Sequence, residues 1–209
     1  MVGILLQLAL HNESIYKDKT NSYICPRNFD KKMFRKLKNS ELGRMSAAEY
    51  KEAGKTPFVL VLDNVRSQHN IGSAFRTCDA FRIAKICLCG ISATPPTPEI
   101  HKAALGAEFS VAWEHYDTGL AAVQQLRKEG YVIVSVEQAD EATMLQDFRP
   151  EPGKRYALVF GNEVKGVAQE VVDASDLCLE IPQYGTKHSL NVSVSIGIVL
   201  WNIILNNLK

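Results

Sequence analysis

From Pro57 onward, short runs of β-branched and apolar residues alternate with stretches of helical periodicity. That alternation leaves few solutions other than an α/β fold in which helices cover a parallel sheet. Strands are expected at Phe58–Asp63, Lys85–Gly90, Ser110–Trp113, Val132–Glu137, Ala157–Gly161 and Leu177–Ile181. Helices are expected at Ile71–Phe81, Pro98–Leu105, Thr118–Glu129 and Ala168–Ala174. The stretch Leu190 to Leu208 reads as an apolar helix whose Val194, Ile198 and Trp201 share a face, so that face is expected to be buried, closing the domain or packing on a partner. Sequential βα units place ligands at the carboxyl ends of the strands. The loops after Asp63, Gly90, Glu137, Gly161 and Ile181 are therefore where a site is sought.

The chain has 209 residues, 46% of them hydrophobic, enough for one domain with a tail. Its 24 Lys and Arg nearly balance 23 Asp and Glu, which excludes a global field that would gather nucleic acid or membrane. The basic charge is front-loaded: Lys17 to Lys55 holds 11 Lys and Arg against 5 Asp and Glu. Residues 33–56 are expected to form a basic amphipathic helical segment, with Met33, Leu37 and Leu42 as its apolar positions and Ser46 capping a helix ahead of Glu49. Met33 opens a stretch that reads naturally into the rest, so residues 1–32 read as an extension or as the product of a mis-set start, and residues 57–209 as the main domain.

The five cysteines show no CxxC or Cys/His spacing, so no disulfide framework and no zinc site is expected. The apolar start Val2 to Leu10 is too short to span a bilayer and lacks a basic flank, so a cytoplasmic protein without membrane contact is expected.

The common cofactor signatures are missing. A dinucleotide fold needs GxGxxG after the first strand, where this chain has Asn64-Val65-Arg66-Ser67-Gln68-His69-Asn70. Gly161-Asn162-Glu163-Val164-Lys165-Gly166 has a lysine but not the phosphate-binding GK[ST]. Three polar clusters remain, each at the end of an expected strand. The first runs from Asp63-Asn64 to Asn70-Ile71-Gly72 and Arg76, with Asn70 expected to cap the following helix. The second is Gly161 to Gly166, and the third runs from Ile181-Pro182 through Gly185 to Ser189-Leu190-Asn191-Val192-Ser193-Val194. Any one of them alone reads as an ordinary turn or cap, but three at three strand ends in this order are improbable as independent turns.

Together they resemble the SpoU (TrmH-like) RNA 2′-O-ribose methyltransferases of the SPOUT superfamily. Asn64, Asn70, Gly72 and Arg76 match that family's first motif; Gly161, Asn162, Glu163 and Gly166 match its second. Ile181 through Val194 matches the third, and Ser195 departs from the family's usual Ala by one small residue. The likeness covers about residues 57–205. It implies a SPOUT-type sheet with a deep C-terminal trefoil knot, where connection rules alone predict an unknotted sheet. It also implies S-adenosylmethionine as cofactor, with Glu137, Gln138, Gly161, Ile181, Leu190 and Ser195 near it.

The same resemblance gives Arg76, Asn70, Glu163, Ser189 and Asn191 as the catalytic set. Arg76 would act on the hydroxyl proton or the adjacent phosphate, Asn70 and Asn191 would orient it and the ribose, and Glu163 would hold the arginine or accept from the ribose. A guanidinium is too weak a base for easy proton removal, so an electrostatic role for Arg76 is preferred. RNA contact is expected from Lys31, Lys32, Arg35, Lys36, Lys38 and Arg44, and from Arg66, Arg82 and Lys187 beside the motifs. A homodimer meeting through the last helix and a reaction without metal are further implications. A SPOUT enzyme that methylates a base nitrogen and a non-catalytic RNA-binding or assembly factor are the competing readings. tRNA and rRNA both stay open as substrate.

Overall fold

The computed structural model describes residues 34–207, in two units divided between Arg44 and Met45. In the first unit, the described residues hold a 3-10 turn at Asn39–Glu41. The Glu41 carboxylate accepts from the Lys38 backbone N–H at 2.7 Å and from both arms of the Arg35 guanidinium at 2.9 and 3.0 Å. The amphipathic segment expected over 33–56 is not one helix. Residues 34–49 are exposed throughout, the three apolar positions before Gly43, Phe34, Leu37 and Leu42, being too few to bury a stripe, and only Ala47–Glu52 (α1) is α-helical. Met33 lies outside the described residues.

In the second unit, Ser46 caps α1 through the expected reciprocal bonds with Glu49. Tyr50 is the buried residue of α1. Seven strands follow: Thr56–Asp63 (β1), Ile83–Cys89 (β2), Trp113–Tyr116 (β3), Tyr131–Val136 (β4), Thr143–Met144 (β5), Arg155–Phe160 (β6) and Leu177–Glu180 (β7). All pair in parallel, in the order β3-β2-β1-β6-β4-β7-β5. The helices are Gln68–Ala80 (α2), Pro98–Ala104 (α3), Gly119–Lys128 (α4), Gln169–Asp173 (α5) and Val192–Asn207 (α6).

The period of two along each strand splits the core into two layers. Phe58, Leu60 and Leu62 of β1 and Tyr156, Leu158 and Phe160 of β6 share one layer with residues of α2, α3 and α6. Val59, Val61, Ala157 and Val159, with Cys87 and Cys89, share the other with α4 and α5. Cys78, Cys87 and Cys89 are free and buried, and burial pushes their thiols up, Cys87 to about 12. They pack as small hydrophobes.

Three expectations are corrected. The strand expected at Ser110–Trp113 lies at Trp113–Tyr116. It is an edge strand whose Glu114 and His115 are exposed, so its polar sequence hides it behind the apolar residues leading in. Helix α2 starts earlier than expected and is capped by Ser67, whose Oγ accepts from the Asn70 N–H at 3.3 Å; Asn70 itself sits in the first turn. Finally, α6 buries Ile196, Val199, Leu200 and Ile203, while Val194, Ile198, Trp201 and Leu205 form an exposed stripe, with Trp201 57% exposed.

Candidate active site

A cavity of about 470 Å3 opens at the carboxyl ends of β4, β6 and β7. Its walls are Val136, Glu137 and Gln138 after β4, the Gly161–Gly166 loop after β6, and Ile181, Gln183 and His188 to Asn191 on the way into α6, with Val192 and Ser195 of the helix itself. This is where open α/β sheets carry ligands.

The Gly161–Gly166 loop folds back on itself. Asn162 and Gly166 exchange backbone hydrogen bonds at 2.9 Å both ways. The Asn162 side chain accepts from Val164 and Lys165 and donates to the Asn64 carbonyl at 2.8 Å. Only glycine fits at Gly161, because a Cβ would lie 2.0 Å from the Gly166 carbonyl carbon and 2.1 Å from the Val167 nitrogen. Two carboxylates pin the outgoing end of the loop. Glu137 Oε2 accepts from Val167 N–H at 2.9 Å, and buried Asp63 accepts from the next N–H, Ala168, at 3.0 Å.

Glu163 reaches out of this loop to the start of α2. Its two oxygens accept from the backbone N–H groups of Arg66 and Ser67, each at 3.0 Å, and Asn70 Nδ2 donates to it at 3.1 Å. Partial burial works to raise the Glu163 carboxyl, but these donors outweigh it and hold the group below the ordinary carboxylate value. The helix dipole favours the same charge. Asn191 completes the chain: its Nδ2 donates to Asn70 Oδ1 at 3.2 Å, while its Oδ1 accepts from the Ser193 N–H and hydroxyl and so caps α6. One polar line therefore ties the starts of α2 and α6 to the Gly161–Gly166 loop.

The six residues expected around the cofactor, Glu137, Gln138, Gly161, Ile181, Leu190 and Ser195, all line the cavity. Of the expected catalytic set, Asn70, Glu163 and Asn191 are joined by hydrogen bonds, and Ser189 lines the same cavity. Arg76 is not with them. It is exposed, without an ion pair among the described residues, and borders a second cavity with Ser73, Thr77, Ala80, Phe81, Ala103 and Gly197, between α2, α3 and α6. Glu163 thus holds a helix terminus instead of the arginine.

Of the expected RNA contacts, Lys31 and Lys32 lie outside the described residues. Arg35 is paired with Glu41, while Lys36, Lys38, Arg44, Arg66 and Lys187 are exposed. Arg82 sits in the α2–β2 turn, where its carbonyl accepts from Thr56 N–H at the amino edge of the sheet, away from the cavity. Sequence reasoning missed Gln183, which lines the cavity, and the pinning role of Asp63, which its place at the end of a strand before Asn64 could have suggested. Among the described residues no group of three or more His, Cys, Asp or Glu is placed to hold a metal, and no helix is long and apolar enough to cross a membrane.

The family model described as the SpoU rRNA Methylase family matches residues 57–201. A tRNA (guanosine(18)-2′-O)-methyltransferase of Aquifex aeolicus is 30% identical, over 73% of this chain and 71% of the relative. The 23S rRNA (guanosine-2′-O-)-methyltransferase RlmB of Neisseria meningitidis is 30% identical over 69% of this chain, which spans only 56% of that longer protein. An AdoMet-bound rRNA methyltransferase structure from Sinorhizobium meliloti superposes with a TM-score of 0.66 at 26% identity, covering 73% of this chain and 58% of the other.

Proposed function

The chain belongs to the SpoU rRNA Methylase family, and from that premise we propose that it transfers a methyl group from S-adenosylmethionine to a ribose 2′-OH of tRNA or rRNA. The observation that carries the reading is the cavity at the carboxyl ends of β4, β6 and β7, with the Asn191–Asn70–Glu163 line at its rim.

The cavity suits the cofactor. Its volume is in the range of small-molecule sites. Val136, Leu179, Ile181, Leu190 and Val192 offer apolar walls for a flat ring, Gly161 and Gly166 bare the backbone, and the carboxylates of Glu137 and Glu163 favour a sulfonium's positive charge. Bound there, S-adenosylmethionine supplies a methyl group on a good leaving group.

The protein's own work is to place the hydroxyl in line and ease loss of its proton. Asn191 and Ser189 present an amide and a hydroxyl at the rim for the ribose. Asn70 fixes Asn191, and Glu163 fixes Asn70. Arg76 borders the other cavity, beside α6, where it supplies positive charge to RNA phosphate.

A homodimer belongs to the same reading. The stripe of Val194, Ile198, Trp201 and Leu205 gives α6 a second apolar face next to the cavity that Arg76 borders, and a second copy would cover both. We read the chain through the cavity as a trefoil knot. The insertion of β7 between β4 and β5, after β6 has been laid on the far side of β4, supports that reading. A cytoplasmic location goes with RNA as substrate.

The test is to incubate the purified protein with labelled S-adenosylmethionine and, separately, tRNA and rRNA from a strain lacking the gene, then identify the product by nucleoside mass spectrometry. A 2′-O-methyl nucleoside is expected, in one RNA class. A base-methylated nucleoside, or cofactor binding with no label in either RNA, would overturn the reading.

A further inference from the structure

The segment Pro182–Leu190 leads from β7 to α6. Gln183 and His188 to Leu190 line the cavity, while Tyr184, between them, is 97% exposed. Its ring meets no other ring, and its hydroxyl makes no hydrogen bond among the described residues. The segment is braced all the same: Gln138 Nε2 donates to the His188 carbonyl at 2.9 Å. A single exposed aromatic is ordinary on a protein surface, but this one directly follows Gln183 of the cavity lining, and the same lining includes Val164 and Lys165 of the Gly161–Gly166 loop. Val164 is 78% exposed. Lys165 and Lys187 are exposed, with no ion pair among the described residues. The nearby Glu163 carboxylate bonds the start of α2 and neither lysine.

An aromatic face, an apolar neighbour and unpaired lysines around one opening are the elements of a seat for single-stranded nucleic acid: bases stack on the ring, phosphates meet the ammonium groups. We propose that Tyr184 stacks on an unpaired RNA base at the mouth of the cavity, with Lys165 and Lys187 on the flanking phosphates, making Tyr184 a substrate-binding residue of the site. The proposal rests on the methyltransferase reading and adds to it the form of the substrate. The nucleotide at the site must be out of a helix, because a paired base offers no free face. Stacking of this kind tolerates any base, so Tyr184 selects for exposure and not for sequence.

The experiment uses the full chain and a fluorescein-labelled, unstructured RNA oligonucleotide, followed by anisotropy, with S-adenosylmethionine affinity measured by calorimetry on the same samples. Tyr184→Ala should weaken oligonucleotide binding by about 5- to 100-fold, the loss expected of one stacked base. Tyr184→Phe should bind like the parent protein. Tyr184→Trp should bind at least as well, with indole emission quenched by the RNA beyond the parent's response, and cofactor affinity should be the same in all. Parent-like binding by Tyr184→Ala, equal loss in Tyr184→Phe, or no added quenching in Tyr184→Trp would overturn it. If the parent protein fails to bind S-adenosylmethionine, the methyltransferase reading falls, and the oligonucleotide titration still decides the role of Tyr184 on its own.

Discussion

Replacing Gly161 with alanine sets a methyl carbon 2.0 Å from the Gly166 carbonyl carbon, 2.1 Å from the Val167 nitrogen and 2.2 Å from the Gly166 oxygen. Non-bonded carbons approach to about 3.5 Å, so one side of the crossing must retreat by more than about 1 Å. All three obstacles are backbone, which cannot swing aside as a side chain would. The retreat strains three hydrogen bonds: the two between Asn162 and Gly166 at 2.9 Å and the one from Val167 N–H to Glu137 at 2.9 Å. At roughly 1 kcal/mol apiece the loss is about 3 kcal/mol, the upper end of what overpacking costs. For a domain of this size that corresponds to a fall in Tm of about 6–12 °C. The same shift moves a wall of the cavity, so S-adenosylmethionine affinity should fall with stability. Differential scanning calorimetry and S-adenosylmethionine titration by isothermal calorimetry read the two effects. A Gly161→Ala protein with Tm within about 1 °C of the parent and a Kd within about twofold would refute the argument that this crossing admits no side chain.

Glu163→Gln should destabilise the protein at neutral pH, and the difference should shrink in acid. A carboxylate held below its ordinary value adds stability above the unfolded pKa, near 4.3, and loses it as pH falls through the folded one. Urea midpoints of both proteins from pH 7 to about pH 3 check this, and a gap that stays constant across that range contradicts the assignment. Gly72→Ala should cost about 1–3 kcal/mol by pushing α2 off α3, since its Cβ would lie 2.5 Å from the Ile100 carbonyl and 2.7 Å from Ala103 Cβ; an unchanged denaturation midpoint would mean the helices can separate freely. Ile198→Asp in the exposed stripe should leave the fold intact and convert a dimer to a monomer in sedimentation velocity. A parent protein that is already monomeric at micromolar concentration would remove the dimer from the reading.

Where local chemistry decides the structure, the sequence was enough to read it. Thr118 caps α4, and Glu129 follows its last helical residue. Pro98 opens α3, which ends with Leu105 in the left-handed region. The central strands β1 and β6 show as apolar runs, Phe58–Leu62 and Tyr156–Phe160, because both their faces are covered. Edges and surfaces were harder. β3 carries charge on its outer face, and β5 is two residues long, so neither has a pattern to find. In α6 both faces are apolar, and spacing cannot say which one meets the sheet. The lining of the cavity was legible from its motifs because glycines and strand ends fix the backbone there. The place of Arg76 was not, because a motif gives order along the chain, while the cavity a side chain faces depends on how α2 is rotated against α3 and α6.

The position of β6 between β1 and β4 has a consequence for biosynthesis. Leu62 of β1 pairs with Phe160 of β6, so the inner edge of β1 stays open until β6 has been made. At roughly 5–20 residues per second, that interval is on the order of 5–20 s on the ribosome. Throughout it the nascent chain carries a continuous apolar strand, Phe58–Leu62, with one unsatisfied row of amides and carbonyls, which is a template for intermolecular pairing. The sheet cannot close from its amino-terminal half, so the yield of folded protein in a cell should depend on how well that edge is shielded while translation runs.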